Sequence, residues 1–259
     1  MSDLLLVEKK DGVLTLTFNR PDKMNALNRE LRKALYEGLK AAEADDEVGV
    51  VILTGAGKAF CAGLDLKELG GETKSESTLQ GTVTGGPIVE AFDNMTKPVI
   101  GAINGVAITG GFEVALACDV LIASTHARFA DTHARVGILP GWGLSQRLSR
   151  LIGIYRAKEL SLTGNFLDAG KAESWGLVNR VVEPENLLPA ATQLAQDMLS
   201  CDSVTLGKYK QLIDDGFGLD FKSGYALELE RSAAHAKETR PEDVAKRRAA
   251  IQARGRTQS

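Results

Sequence analysis

Residues 13–18 read VLTLTF, apolar and hydroxyl side chains in alternation, which predicts a strand with one buried face. Pro21 in NRPDKMNA breaks that pattern. Leu27, Leu31, Leu35 and Leu39 then recur every four residues with charges between them, the stripe of an amphipathic helix. The β-branched run VGVVIL (48–53) suits a strand covered on both faces, so strand, helix and strand predict a right-handed crossover. A short helix bearing Ile88, Val89, Phe92 and Met95 leads through Pro98 into the strand VIGAI (99–103), and VLIAS (120–124) supplies another. The alternation runs to about residue 182. From 184 onward PENLLPAATQLAQDMLS, SVTLGKYKQLIDDG, FKSGYALELERSAAHAK and PEDVAKRRAAIQARG read as helices separated by Gly, Pro or Asp. The expected organisation is an α/β core over residues 1–183 and a helical region over 184–259 that packs on the core or on a neighbouring subunit. The Gly/Ser/Thr-rich stretch GGETKSESTLQGTVTGG (70–86) reads as a mobile surface loop able to gate a pocket.

Composition narrows the function. A length of 259 residues with 44% apolar content is ample for a core, and 31 Lys plus Arg against 34 Asp plus Glu give a net charge of -3. No global basic field invites nucleic acid or anionic lipid, so anion recognition has to be local. Cys61, Cys118 and Cys201 are odd in number and lack CxxC spacing, which fits a reducing compartment and thiols packed as small apolar groups. MSDLLLVEKKDG does not read as a secretory leader, no later run reads as a membrane span, and the final TQS is not a peroxisomal address. The expected compartment is the cytoplasm.

Several motifs fail on inspection. GAGKAF (55–60) lacks the Ser or Thr that would hold magnesium after Lys58, and GWGLSQ (141–146) ends in Gln146 without a preceding strand pattern. There is no GxSxG elbow and no HExxH, and His126, His133 and His235 lack ligand spacing, so no metal site is expected.

Two turns share one logic. The strand VVIL runs into TGAGKAFCAGLDLKEL, and the strand VIGAI runs into NGVAITGGFEVALACD. In each, glycine frees the backbone just before a helix pattern begins, which can leave peptide N–H groups facing a cavity. Two such groups converging would grip an oxyanion, and a helix starting at Gly110 or Gly111 would favour negative charge there. Glu113 lies in the first turn of that helix, either as a base kept ionised or as a residue in a favourable N-terminal position.

KAFCAGLDLKEL (58–69), KPVIGAINGVAITGGFEVALACDVLIAS (97–124), RFADTHARVGILPGWGLSQRLSRLIG (128–153) and LTGNFLDAGKAESWGLVNRVV (162–182) resemble, in order and spacing, the crotonase family of enoyl-CoA hydratases and isomerases. The resemblance spans nearly the whole chain. It implies a spiral of ββα repeats with a C-terminal helical trimerisation region, a homotrimer or a hexamer built as a dimer of trimers, and an acyl-CoA substrate. Coenzyme A is then part of the substrate and no cofactor is required. It implies an oxyanion hole at the backbone N–H groups of Leu64 and Gly110, where fixed donors are worth on the order of 3 kcal/mol each as charge builds on a thioester oxygen. It further implies substrate and coenzyme A contacts at Met24, Ala26, Leu27, Ala59, Ala62, Gly63, Asp65, Leu66 and Gly111.

Glu113 matches the first of two glutamates used by family hydratases, whereas the second falls where this chain has His133. Imidazole can deliver a proton near neutral pH, so His133 is either the proton donor or a solvent-facing residue at a helix start. Asp131 reads as that helix's N-cap. Family isomerases depend on the second carboxylate rather than the first, so keeping Glu113 favours hydration. The alternatives are isomerisation or another enolate step, and a non-catalytic acyl-CoA-binding or RNA-binding role. Trp142 and Leu144 either narrow the acyl pocket or pack beneath it. Residues 237–259 hold seven Lys or Arg against three acids, a local +4 that is either a solvated helix face or a contact for nucleotide phosphates.

Overall fold

In the computed structural model, which describes residues 3–70 and 86–257, the chain opens with a strand that the apolar pattern does not announce. β1 (Leu5–Lys10) pairs antiparallel with β2 (Val13–Phe18), Leu5 opposite Phe18 and Lys10 opposite Val13. The two-residue turn is Asp11-Gly12, both at positive φ (48° and 80°), as a tight hairpin of this length requires. β1 lies at the sheet edge with its second half exposed, so its alternation is blurred by polar residues. Asp-Gly was the legible signal.

Asn28 caps α1 (Arg29–Ala44) by accepting the Leu31 N–H, and the helix buries Leu31, Leu35, Leu39 and Ala42. It connects β2 to β3 (Val50–Gly55), which runs parallel to it. From there the chain alternates between two sheets. β4 (Ala59–Cys61) enters a smaller sheet, followed by the short α2 (Leu66–Leu69) and α3 (Pro87–Asp93). β5 (Val99–Ile103) returns to the large sheet, β6 (Val106–Ile108) to the small one, and α4 (Gly110–Leu116) follows. β7 (Val120–Ser124) and β8 (Arg128–Ala130) repeat the step, ahead of α5 (His133–Val136), α6 (Leu144–Ile152) and α7 (Ile154–Thr163). β9 (Leu167–Asp168), α8 (Ala169–Ser174) and β10 (Arg180–Val182) complete the order. The large sheet runs β1-β2-β3-β5-β7-β10 and the small one β4-β6-β8-β9. The pairs β3/β4, β5/β6 and β7/β8 each place one strand in each sheet and then a helix, which is the expected ββα spiral.

Successive residues of the large sheet point to opposite sides, and both sides are covered. Leu14, Leu16, Val51, Leu53 and Ile103 face the main core with α1, while Val13, Val50, Ile52, Ile100 and Ile122 face Leu187, Ala191 and Ala195 of α9 (Leu187–Leu199). This explains the unbroken β-branched run at 48–53. Truncating a buried leucine such as Leu35 to alanine would cost about 2–5 kcal/mol. Cys61 and Cys118 are free thiols, both pushed up by burial, that of Cys61 to about 12.

The compact first unit runs to Leu206. The expected division at 183/184 falls ahead of α9, which packs on the large sheet and so belongs with it. The second unit, residues 207–259, contains most of α10 (Ser203–Phe217) together with α11 (Phe221–Glu238) and α12 (Pro241–Thr257). Asp220 caps α11 by accepting the N–H groups of Lys222 and Ser223. Within this unit Arg231 pairs with Asp215 at 2.6 Å, yet neither α10 nor α11 buries a single residue. Residues 71–85, nearly all of the expected surface loop, lie outside the described residues. Among the described residues no helix is long and apolar enough to cross a membrane.

Candidate active site

β4, β6 and β8 are neighbouring parallel strands, so the segments leaving their C-terminal ends emerge side by side. Those segments carry Ala62–Leu64, Thr109–Glu113 and Asp131–His133. The carboxyl edge of a parallel sheet is where α/β folds gather ligand-binding groups.

The first segment is zipped to the loop after β2. Ala62 N–H donates to Met24 O at 3.0 Å, Leu27 N–H to Gly63 O at 2.7 Å, and Asp65 N–H to Leu27 O at 3.3 Å. Asn25, fully buried at φ 56°, anchors that loop: its Nδ2 donates to the carbonyls of Ala56, Ala59 and Phe60, and its Oδ1 accepts the Arg20 N–H. Met24, Ala26, Leu27, Ala62, Gly63 and Asp65 are thereby gathered in one place. Leu27 and Ala59 are buried, which leaves them only backbone and packing to offer, while the side chains of Met24 and Leu66 are exposed. The Asp65 carboxylate is held by Arg20 at 3.1 Å and caps α2 through the Lys67 N–H.

The glycines open a space between two amides. A Cβ placed on Gly110 would lie 3.5 Å from the Leu64 nitrogen, and one on Gly63 would lie 3.1 Å from the Gly110 nitrogen. Gly111 is needed for a different reason, since its Cβ would fall 2.1 Å from Cys61 O. As the first residue of α4, Gly110 has no carbonyl one turn back to accept its N–H. Among the described residues neither the Leu64 nor the Gly110 amide donates within the chain.

One turn along α4 sits Glu113, 3% exposed. Its Oε1 accepts the backbone N–H of Trp142 at 2.8 Å and that of Leu144 at 3.4 Å, while Oε2 lies 3.5 Å from His133 Nε2. His133 is not solvent-facing but buried at 5% exposure, and its Nδ1 lies 2.7 Å from Asp131 Oδ1. The N-cap expectation for Asp131 needs correction. Thr132 occupies the cap position of α5 without a side-chain bond, and Asp131 Oδ1 takes both the His133 backbone N–H (3.2 Å) and the ring nitrogen. The result is a buried chain, Asp131–His133–Glu113. Burial alone would pull the imidazole down; hydrogen bonds to Asp131 and Glu113 outweigh it and raise the pKa to about 9. Burial pushes Asp131 upward, but its bonds to His133 and Ser161 more than reverse this and hold the carboxyl below its ordinary range. At neutral pH the ring is therefore an imidazolium held by Asp131 and facing Glu113 Oε2, able to give a proton from Nε2.

Trp142 lines a small cavity with Ile88, Val89, Phe92, Glu113 and Arg147, and Leu144 is fully buried. Their shared contribution, two backbone N–H groups on Glu113, is invisible to side-chain reasoning. So were the ring-orienting role of Asp131 and the anchoring by Asn25. For the latter the αL tolerance of asparagine was a usable signal.

A family model described as enoyl-CoA hydratase/isomerase matches residues 8–241. The chain is 44% identical over 241 residues to the probable enoyl-CoA hydratase 1, peroxisomal, of Arabidopsis thaliana, covering 91% of this chain and 88% of that one. It is 40% identical over 230 residues to the short-chain-enoyl-CoA hydratase of Clostridium acetobutylicum, covering 87% of each. The crystal structure of an enoyl-CoA hydratase from Mycobacterium tuberculosis H37Rv superposes with a TM-score of 0.72 at 45% identity, covering 90% of this chain and 97% of that one.

Proposed function

We propose that this chain, which belongs to the enoyl-CoA hydratase/isomerase family, is a 2-enoyl-CoA hydratase, a hydro-lyase that adds water across the 2,3 double bond of an acyl-CoA thioester in acyl-CoA degradation. The observation that carries the reading is the pair of acid and base, Glu113 Oε2 and His133 Nε2 at 3.5 Å, beside two free amides at Leu64 and Gly110. Hydration needs all three functions.

The thioester oxygen accepts the N–H groups of Leu64 and Gly110, which polarise the conjugated system. Glu113 Oε2 removes a proton from water as its oxygen bonds to C3, and the π electrons move through C2 and C1 onto the thioester oxygen. Each amide there contributes on the order of 3 kcal/mol as that charge develops. Collapse of the enolate takes a proton from His133 Nε2 to C2. Glu113, now protonated, returns its proton to His133, so water has been added and both groups are reset. Double-bond migration needs only one group that carries a proton between two carbons. A separate base and acid are better matched to hydration. Coenzyme A enters as part of the substrate, and these steps call on no further group. Met24, Ala26 and the exposed Leu66 are the contacts assigned to the coenzyme A moiety in this reading.

The test is hydration of crotonyl-CoA and longer 2-enoyl-CoA thioesters, followed by loss of the conjugated thioester's absorbance. Absence of any loss above buffer for every chain length overturns the reading. Conversion of a 3-enoyl-CoA to its 2-enoyl isomer without water addition would replace it with isomerisation.

The second unit supports assembly as a homotrimer, or a hexamer of two trimers. Its helices expose Tyr209, Ile213, Phe217, Phe221 and Ile251 on a unit in which α10 and α11 bury nothing, the mark of a surface awaiting another copy. Three unpaired cysteines suit the reducing cytoplasm.

A further inference from the structure

Thr109, immediately before the Gly110 amide, has φ 52° and ψ -112°. These are the values of the first central position of a type II′ turn, where glycine is the usual occupant, and a β-branched residue there is a genuine outlier. Glycine would sit there without strain. The threonine must therefore supply something that its side chain alone can make. Its hydroxyl accepts the Thr132 N–H at 3.2 Å and hydrogen-bonds the Thr132 hydroxyl. Its backbone spans the same two arms: Thr109 N–H donates to Ala130 O at 2.9 Å, and Thr109 O accepts the Glu113 N–H at 2.9 Å.

Thr132 stands between Asp131 and His133, and Thr109 stands beside Gly110 and one turn before Glu113. One side-chain contact thus joins the arm that carries the amide and base to the arm that carries the imidazole. We propose that the Thr109–Thr132 hydroxyl pair is a positioning clasp that sets the His133 ring against Glu113 and the Gly110 amide. Neither threonine reacts, and the clasp acts only through those three groups. The inference rests on the hydratase reading. A backbone conformation uncommon for threonine is retained because it aims the hydroxyl at the neighbouring arm, as strain kept at functional sites does.

The experiment is steady-state hydration of crotonyl-CoA by wild type, T109A, T109S, T109G, T132V and the T109A/T132V double variant. T109A and T132V are each expected to lower kcat about tenfold with KM within twofold, because positioning for the reacting state is lost while thioester binding persists. T132V breaks the hydroxyl–hydroxyl contact that T109A also breaks, so the double variant falls no further than T109A, about tenfold rather than a hundredfold. T109S recovers most of the rate lost in T109A. T109G, which relieves the strained φ, keeps the low kcat with a melting temperature no lower than that of T109A, and it carries the test should the alanine variant fail to fold. The clasp is overturned if the single variants stay within twofold of wild-type kcat, if their losses multiply, or if KM alone changes. Failure of the hydratase reading looks different: wild type itself would show no hydration.

Discussion

Residues 3–206 and residues 207–257 treat the same physical forces in opposite ways. In the first unit polar groups have gone inside: Asn25, Thr54, Glu113, Ser124, Asp131 and His133 are all buried, each with hydrogen-bonding or ion-pair partners in its own chain. In the second unit apolar groups have stayed outside, with Phe221 at 88% and Tyr209 at 62% exposure on helices that bury nothing. Buried polar groups with their own partners hold a fixed geometry for chemistry. Exposed aromatic faces are completed by another molecule. In the proposed function, chemistry and assembly therefore fall to separate stretches of one chain, and each proposal can be attacked alone.

The largest effect is expected from Glu113→Gln, which keeps the shape but removes the base. Turnover of crotonyl-CoA should fall roughly 10³-fold or more, while the sedimentation profile stays that of wild type. A change of assembly state in that variant would break the comparison. His133→Ala should cost on the order of 10²-fold in kcat, and His133→Glu, which restores a carboxylic acid, should lie between it and wild type.

On the assembly side, charging two exposed aromatics, Phe217→Lys with Phe221→Lys, should dissociate the proposed oligomer, read by sedimentation, and lower the melting temperature by about 5 °C or more. Dissociation without that drop would mean that the second unit supports itself.

The smallest effects concern pH. The His133 pKa is raised to about 9, so the proton it donates is present at neutral pH, and kcat should fall as pH rises through about 9. Asp131→Asn weakens the hydrogen bond that heads the causes raising it, so that limb should move to lower pH with only a several-fold loss at neutral pH. Stability follows the same signs. The contribution of the imidazolium is complete below the ordinary histidine value of 6.5 and lost as pH rises through about 9. That of Asp131, whose pKa is lowered, is present above 3.8 and lost as pH falls through the lowered value. Thermal melts across pH would read both, and a wild-type melting profile flat from pH 7 to 10 would refute the imidazolium assignment.

How much of this was legible depends on the kind of contact. Val50–Gly55, Val99–Ile103 and Val120–Ser124 were legible as strands because burial on both faces writes itself into unbroken apolar runs. The hairpin strand Leu5–Lys10 was obscured because an exposed edge lets polar residues in. Glu113 and the glycines at 63, 110 and 111 stood out because a carboxylate among apolar residues, and glycines before a helix, are local anomalies. Asp131 was misassigned for the same local reason: an acid two residues before a helix looks like a cap, and only the folded ring of His133 reveals its second bond.

The strands of the large sheet after the first, the helix over 29–44 and the local anomaly of a carboxylate at Glu113 beside the glycines follow from the chain's own periodicity and residue chemistry, which act over a few residues. The partners of Glu113 were decided by the fold alone. Trp142 and Leu144 lie 29 and 31 residues from it and present only their N–H groups, and a backbone amide is the same in every sequence. The raised His133 pKa likewise exists only where three neighbouring strands end side by side, because the ring's hydrogen bond across to Glu113 is a property of space and not of sequence.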